Sequence, residues 1–423
     1  MKLVRVGNGY HNFFKSNLKQ LQYVPNQDGF NMSMILLEKN RFLFSVRFLG
    51  TKEAYKGERV VPGNYSTKRG YIRKKLGDEV ADKIDFGWNF FWNSWNSGII
   101  DNTVLFVGTL DLKTLEITPD PSVKPHVFHE LPTTLKELPY KYSDVRLIRI
   151  KEKIFAYDGY ISGIHEITLS ETEVTAKPTQ SELCLNIRAY DKNWAFFTAN
   201  KDTLVFLNWF EDDKVTLSHV PLNDPKNCLK TNLIEMKKDK IPALGTPFLP
   251  MFCFGTPLVE ITKDKLWVGL GHTKVITRLD YENPKMEEFK KQCDVLIRQK
   301  HKDNVAANKP NPSGRFIQHA SYYYSLYYFT VEKKKEKYQV RFSNSYLYVL
   351  PSEKYTFSIN FPMSITKINS QLYISLGIGD YYNCILKESI EKVKSYCVHD
   401  LEKFDQTKYE MIIKIVDDKG NAK

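Results

Sequence analysis

One local pattern constrains this chain more than any other: a strand, a short polar turn and a second strand, five times over. Runs of β-branched and aromatic residues separated by a few turn residues are the signature of an antiparallel hairpin. The pairs are 34–37 with 41–47, 146–150 with 154–159, 194–197 with 203–209, 257–261 with 266–272, and 363–366 with 372–377. Residues 38–40, 151–153, 198–202, 262–265 and 367–371 supply the turns. Similar hairpins at uneven intervals fit radial repetition. A sandwich would also alternate, but it would not set polar residues at matched ends of five like units. The expectation is an all-β fold, a five-bladed β-propeller with a few inserted helices, forming one domain over 1–423 with its core at about 31–390. Helical insertions are expected near 67–83, and near 286–302, where Phe289, Cys293, Leu296 and Ile297 keep helical spacing.

Composition narrows the setting. The first residues carry no apolar leader, and the most apolar window, 241–261, holds Pro242, Pro247, Pro250 and Pro257, so no membrane span is expected. Six cysteines lie scattered without a C-x-x-C pair, which reads as reduced, buried thiols in an intracellular, cytoplasmic protein. Lys and Arg number 61 against 49 acidic residues, but the excess is spread over hairpin tips such as 333–337, which argues against a nucleic-acid partner. Heavy use of Lys, Asn, Tyr and Phe suggests an AT-rich genome, and with it a viral or protist source, the host cytoplasm or a virion being the place for a viral protein.

Common catalytic templates are absent: no G-x-S-x-G, no P-loop, no G-x-G-x-x-G after a strand, no H-E-x-x-H. His126 and His129 form H-x-x-H without a nearby third ligand, so no metal is expected. Nor is a cofactor. The informative residues sit at strand ends. Asp144 and Arg146 open one hairpin and Asp158 closes it; Lys192, Asn193 and Trp194 open the next; His272, then Asp380 and Tyr381, close two others, and Arg47 ends the first. A propeller would bring Arg47, Asp144, Lys192, His272 and Asp380 together around its axis.

In order, these pieces resemble the five-bladed propellers of glycoside hydrolase family 130, the β-mannoside phosphorylases and hydrolases, and the related β-1,2-mannosyltransferases. The family's E-D-P-R is similar to Ser143-Asp144-Val145-Arg146, and its Lys-Asn to Lys192-Asn193-Trp194. Its Gly-Thr-Pro strand and following histidine are similar to Gly255-Thr256-Pro257 and Gly271-His272, and its closing Tyr-Gly-x-x-Asp to Leu376-Gly377-Ile378-Gly379-Asp380. The resemblance implies an enzyme acting on an oligosaccharide, or on a sugar nucleotide or sugar phosphate. Asp144 would be the acid, relayed through a sugar hydroxyl and oriented by Arg146. Arg47 and Asp380 would hydrogen-bond the sugar, with Asn193 beside them. Lys192 and His272 would supply positive charge for a phosphate, and Trp194 and Tyr381 ring faces for a pyranose.

The chain departs from the family at Ser143 and Val145, where the pattern has Glu and Pro, and at Gly163-Ile164, where phosphorolytic members carry an arginine. A charge-assisted bond contributes roughly 1.5–3 kcal/mol, so losing one phosphate clamp turns the reading away from phosphorolysis. Hydrolysis, with Asp158 or Glu260 as base, and transfer from an activated donor both stand. So does a glycan-binding or structural propeller without catalysis. The aromatic run 322–328 is either an exposed docking patch or a half-buried strand.

Overall fold

The computed structural model describes residues 2–6, 13, 29–51, 99–129, 144–157, 164–178, 193–200, 203–207, 214–221, 227, 229–235, 251–276, 322–335, 337–343, 345–351, 360–378, 382–397, 399–400 and 410–416. The chain begins with β1 (Lys2–Arg5) and then builds five antiparallel sheets in succession. Blade 1 is β2 (Phe30–Glu38), β3 (Arg41–Thr51), β4 (Ile99–Leu110), β5 (Ile117–Pro119) and β6 (His126–His129). Blade 2 is β7 (Arg146–Ile150), β8 (Lys153–Tyr157), β9 (Ile164–Leu169) and β10 (Val174–Pro178). Blade 3 is β11 (Ala195–Asn200), β12 (Thr203–Leu207), β13 (Lys214–Pro221) and β14 (Leu229–Glu235). In blade 4, β15 (Met251–Cys253) and β16 (Val259–Thr262) pair with β17 (Leu266–Ile276), followed by β18 (Tyr322–Lys334), β19 (Lys337–Phe342) and β20 (Ser345–Pro351). Blade 5 is β21 (Asn360–Ile368), β22 (Gln371–Ile378) and β23 (Tyr382–Ser389), and β1 returns to be its outermost strand, Leu3 opposite Leu386.

The fold is therefore an all-β, five-bladed propeller, and each expected hairpin is the first strand pair of a blade. Its hydrophobic core is divided to match. Five apolar clusters lie one in each gap between neighbouring blades, for example Leu43, Leu105, Val145 and Leu147 between blades 1 and 2, and Trp194, Phe196, Ile148 and Tyr157 between blades 2 and 3. An innermost strand serves two gaps at once, its alternate side chains facing opposite neighbours. That explains why the innermost strand β21 is almost wholly buried. The aromatic run 322–328 is part of β18, with Leu326, Tyr327 and Tyr328 buried, so the strand reading holds there. Beyond blade 5, α1 (Ile390–Tyr396) is capped by Ser389 and buries Ile390 and Val393. The chain then crosses back to blade 4, where β24 (His399–Asp400) pairs with β19 and β25 (Glu410–Val416) runs parallel to β20. The helical insertions expected near 67–83 and 286–302 lie outside the described residues. Cys253, Cys384 and Cys397 are buried and form no disulfide.

A repeated polar device sets one blade against the next. Ser33 and Ser45 face each other across β2 and β3; Ser364 and Ser375 do the same across β21 and β22. Ser33 Oγ accepts from Leu147 N (3.1 Å) and Ser45 Oγ donates to Val145 O (2.6 Å), both on blade 2. In the same way Ser364 Oγ accepts from Met34 N (2.8 Å) and Ser375 Oγ donates to Met32 O, both on blade 1. In blade 2 the corresponding pair is Arg146 and Tyr157, and Tyr157 Oη again donates to the next inner strand, at Trp194 O (3.5 Å). Between blades 3 and 4 the backbone does the work, Leu258 N donating to Phe196 O (2.7 Å).

Two measurements follow from this architecture. Ser45→Ala and Ser375→Ala each strand a buried carbonyl, so each should lower stability by about 1–3 kcal/mol in chemical denaturation, and by similar amounts if the two clamps are equivalent. His165, edge-on to Phe128 at 5.0 Å, is drawn below its ordinary value by burial; His219 is drawn down by burial and by Lys333. Both folded values lie below the unfolded value of about 6.5, so the unfolded chain takes up protons first as pH falls. The stability held by these neutral rings is complete above about pH 6.5 and is lost as pH falls through the folded values. The thermal midpoint should drop more between pH 7.5 and pH 5 in the wild type than in His165→Asn/His219→Asn.

Candidate functional site

Three polar residues stand at the same place in three successive blades, two positions before the residues 33, 146 and 195 that occupy equivalent places in the innermost strands: Asn31, Asp144 and Asn193. All three adopt positive φ, 50°, 60° and 73° respectively. Asn and Asp tolerate the left-handed region better than other side-chain-bearing residues. The backbone turn and the polar side chain at the axis are thus one choice of residue. All three are buried.

Asp144 is the hub. Its Oδ1 accepts from Arg47 Nη1 at 2.9 Å and from Asn31 Nδ2 at 2.6 Å, so blade 1 holds the blade 2 carboxylate from two sides. Arg47 lies on β3, two residues beyond Ser45, and is buried with its partner. Arg146 sits two residues beyond Asp144 and is completely buried. Its Nη2 donates to Asn193 Oδ1 in blade 3 (2.8 Å) and to Pro362 O in blade 5 (3.4 Å), and its guanidinium lies 5.1 Å from the centre of the Phe361 ring. Phe361 in turn meets His272 edge-on at 5.2 Å, and His272 is stacked with Tyr324 at 5.2 Å. A polar and aromatic chain therefore runs from Arg146 in blade 2 to Asn193 in blade 3 and across to blades 5 and 4, beside the Asp144 cluster that joins blades 1 and 2.

Burial pulls the Arg146 guanidinium below its ordinary value, while Tyr157 and Asp144 pull it back up. An arginine stays protonated regardless, so the cluster retains a buried positive charge. Burial likewise pushes the Tyr157 phenol well above its ordinary range, against the pull of Arg146. Close approach at the axis is secured by glycine: a Cβ at Gly255 would stand 2.5 Å from the Pro362 ring and 2.6 Å from Leu270 O.

Of the residues singled out in the sequence, the structure gathers Arg47, Asp144, Arg146, Asn193 and His272 into this chain. Asp158, Lys192, Asp380 and Tyr381 lie outside the described residues. Trp194 departs from the expectation of a sugar platform: its ring is stacked with Phe206 (4.9 Å, 4° between planes) in the core between blades 2 and 3. Glu260 departs too. Its Oε1 accepts from Asp264 N at the turn between β16 and β17, at the other end of the inner strand from Gly255. Asn31 and Phe361 are additions. Asn31 was discoverable from the pattern it shares with its counterparts, a lone Asn or Asp followed by an apolar residue at a strand start; Phe361 carried no such signal. Among the described residues no three His, Cys, Asp or Glu side chains gather in a way that could hold a metal ion. No helix among them is long and apolar enough to cross a membrane.

No protein-family model matches the chain, and no curated protein matches it in sequence. Among solved structures it is similar to a β-1,2-mannobiose phosphorylase from Listeria innocua, at 9% identity over 94% of this chain and 99% of that one, with a TM-score of 0.46. It is also similar to MPT-4, a mannose phosphorylase from Leishmania mexicana (10% identity, 94% and 100% covered, TM-score 0.39). A third is MPT-1, a GDP-Man-dependent mannosyltransferase from the same organism (8% identity, 93% and 97% covered, TM-score 0.40). At such identities and TM-scores these likenesses decide neither reaction nor residues; the five blades stand on the strand pairing itself.

The Arg47–Asp144 pair makes a stability prediction of its own. Arg47→Met leaves a buried carboxylate without its counter-charge, which should cost about 3–5 kcal/mol. Adding Asp144→Asn should recover most of that loss in chemical denaturation. Equal, small losses in Arg47→Met and in the double variant would show that the pair is not buried.

Proposed function

We propose that this chain is a carbohydrate-active enzyme that acts on β-linked mannosides or a similar hexose by glycosyl transfer or hydrolysis. The observation that carries the reading is the carboxylate of Asp144, gripped at one oxygen by Arg47 and Asn31, among the polar residues where the innermost strands begin. A protein with no use for charge there would fill the space with apolar side chains, because buried ions destabilise unless compensated. The sugar class comes from the ordered motif resemblance.

On this reading Asp144 takes up a proton at its other oxygen as substrate binds, and passes it through a sugar hydroxyl to the leaving oxygen as the anomeric C–O bond breaks. The attacking acceptor hydroxyl, or water, forms the new bond to the anomeric carbon and gives its proton to a second carboxylate, for which Asp158 is our candidate. Arg47 then balances the charge left on Asp144. Arg146, bonded to Asn193 in blade 3, is our candidate to orient that carboxylate. Lys192, His272, Asp380 and Tyr381 are our candidates for the remaining substrate contacts, with an oligosaccharide or a sugar nucleotide or phosphate as ligand.

A second reading has its own support. Asn31, Asp144, Arg146, Asn193 and His272 are all buried, and Arg146 ties three blades together, which is what a propeller that binds glycans without turnover would retain. Sugar release from β-mannosides, with and without phosphate, and transfer from sugar nucleotides to acceptor sugars separate the two. Turnover reduced on the order of 10²–10⁴-fold by Asp144→Asn is the expected result for a proton donor. Saturable glycan binding without turnover favours the second reading, and absence of both sinks the two together.

A further inference from the structure

We infer that Asn31, seated by the absence of a side chain at Gly377, is a positioning residue for Asp144. The inference takes its catalytic meaning from the proposed reaction, while its geometry stands independently. The repeat supplies the first step. Arg47 lies two residues beyond Ser45 on β3, and Gly377 lies two residues beyond Ser375 on β22, so the two occupy the same place in blades 1 and 5. Each touches the next blade's innermost strand at its start. Arg47 does so with a guanidinium, against Asp144. Gly377 does so with bare backbone, against Asn31: a Cβ there would stand 1.7 Å from Asn31 Oδ1 and 2.9 Å from its Cγ. No real side chain tolerates such an approach, and Asn31 is itself held at φ 50° with almost no exposed surface. The amide therefore has one place to lie, and from there its Nδ2 reaches Asp144 Oδ1 at 2.6 Å.

The second step is chemical. One donor on a carboxylate oxygen leaves the group free to swing about that bond. Two donors arriving at Oδ1 from different strands, β2 and β3, fix both its place and the plane of the carboxylate. A proton relay depends on that plane, since displacements near 1 Å can slow a reaction about a hundredfold. Gly377 thus shapes the hub from two blades away, without touching it.

The test uses Asn31→Ala, Gly377→Ala and the double variant in the full chain, with kcat and KM on the best glycoside or donor, and crystal structures of each. Expected are falls in kcat on the order of tenfold to a hundredfold in both single variants, with KM much less affected. The double variant should be no slower than Asn31→Ala, because the methyl at 377 then has no amide left to displace. The structures should show the Asp144 carboxylate rotated in all three. A carboxylate that superposes on the wild type in Asn31→Ala, with kcat unchanged, overturns the inference. So does a loss in Gly377→Ala that adds fully to that of Asn31→Ala. Should the wild type turn over no glycan, the proposed reaction fails by itself and the crystal structures decide: a rotated carboxylate upholds the positioning and an unmoved one overturns it.

Discussion

The side-chain bonds that join the first strand of one blade to the hairpin of the blade before it govern the rest of the molecule. An innermost strand pairs on one edge only; its other edge faces the axis with unpaired N–H and C=O groups that are buried and must find partners. Ser33 and Ser45 answer this for β7, and Ser364 and Ser375 for β2, each pair giving one acceptor and one donor. A bond of this kind contributes only about 1 kcal/mol net. Its larger effect is on register: a one-residue slip of β7 would strand both serines and turn Val145 and Leu147 out of their core.

Fixed register is what makes a site out of separate blades. With the first strand pairs in equivalent register at positions 33, 146 and 195, the residues two places earlier fall at equivalent positions in their blades, and these are Asn31, Asp144 and Asn193. Blade 2 departs from its neighbours in a way that matters. Where blade 1 has a serine, blade 2 has Arg146, a side chain long enough to leave its own gap and touch blades 3 and 5. A fully buried guanidinium bonded to neutral oxygens and an aromatic face is a costly way to join blades. The Ser–Ser pair shows that a cheaper device was at hand, so the arginine marks the place where polarity, rather than stability, decided the residue.

The architecture was legible because it is local. Each hairpin turn and each pair of alternating strands lies within about twenty residues, and polar ends such as Asp144-Val145-Arg146 could be read directly. Arg47, Asp144, Arg146, Asn193 and His272 were all visible for that reason. What escaped was long-range. Nothing near Lys2 announces that it will lie beside Lys387, and nothing near Glu410 announces Ser345. The placement of Trp194 illustrates a different limit: an aromatic at a strand start packs into the gap or faces the axis according to its parity in the strand, and that parity follows from the clamp, which only the three-dimensional pairing reveals. Glu260 shows another limit, being a carboxylate at the turn end of its strand.

Asn31 shows how closely the hub is bound to closure of the ring. It belongs to the first blade, yet nearly everything that seats it comes from the last. Ser375 and Asn383 hold the carbonyl and amide of Met32, Asn383 also reaches back to Gly29 O, and Gly377 leaves the space the amide fills. β1 completes the same blade, with Val6 N bonded to Asn383 O. The two donors that meet at Asp144 therefore differ in kind. Arg47 arrives with its own hairpin, a local structure that forms early in any folding order that favours short loops. Asn31 is in place only once blades 1 and 5 have met across almost the whole chain. The carboxylate at the axis is thus fully held in the closed propeller and only half held in anything less.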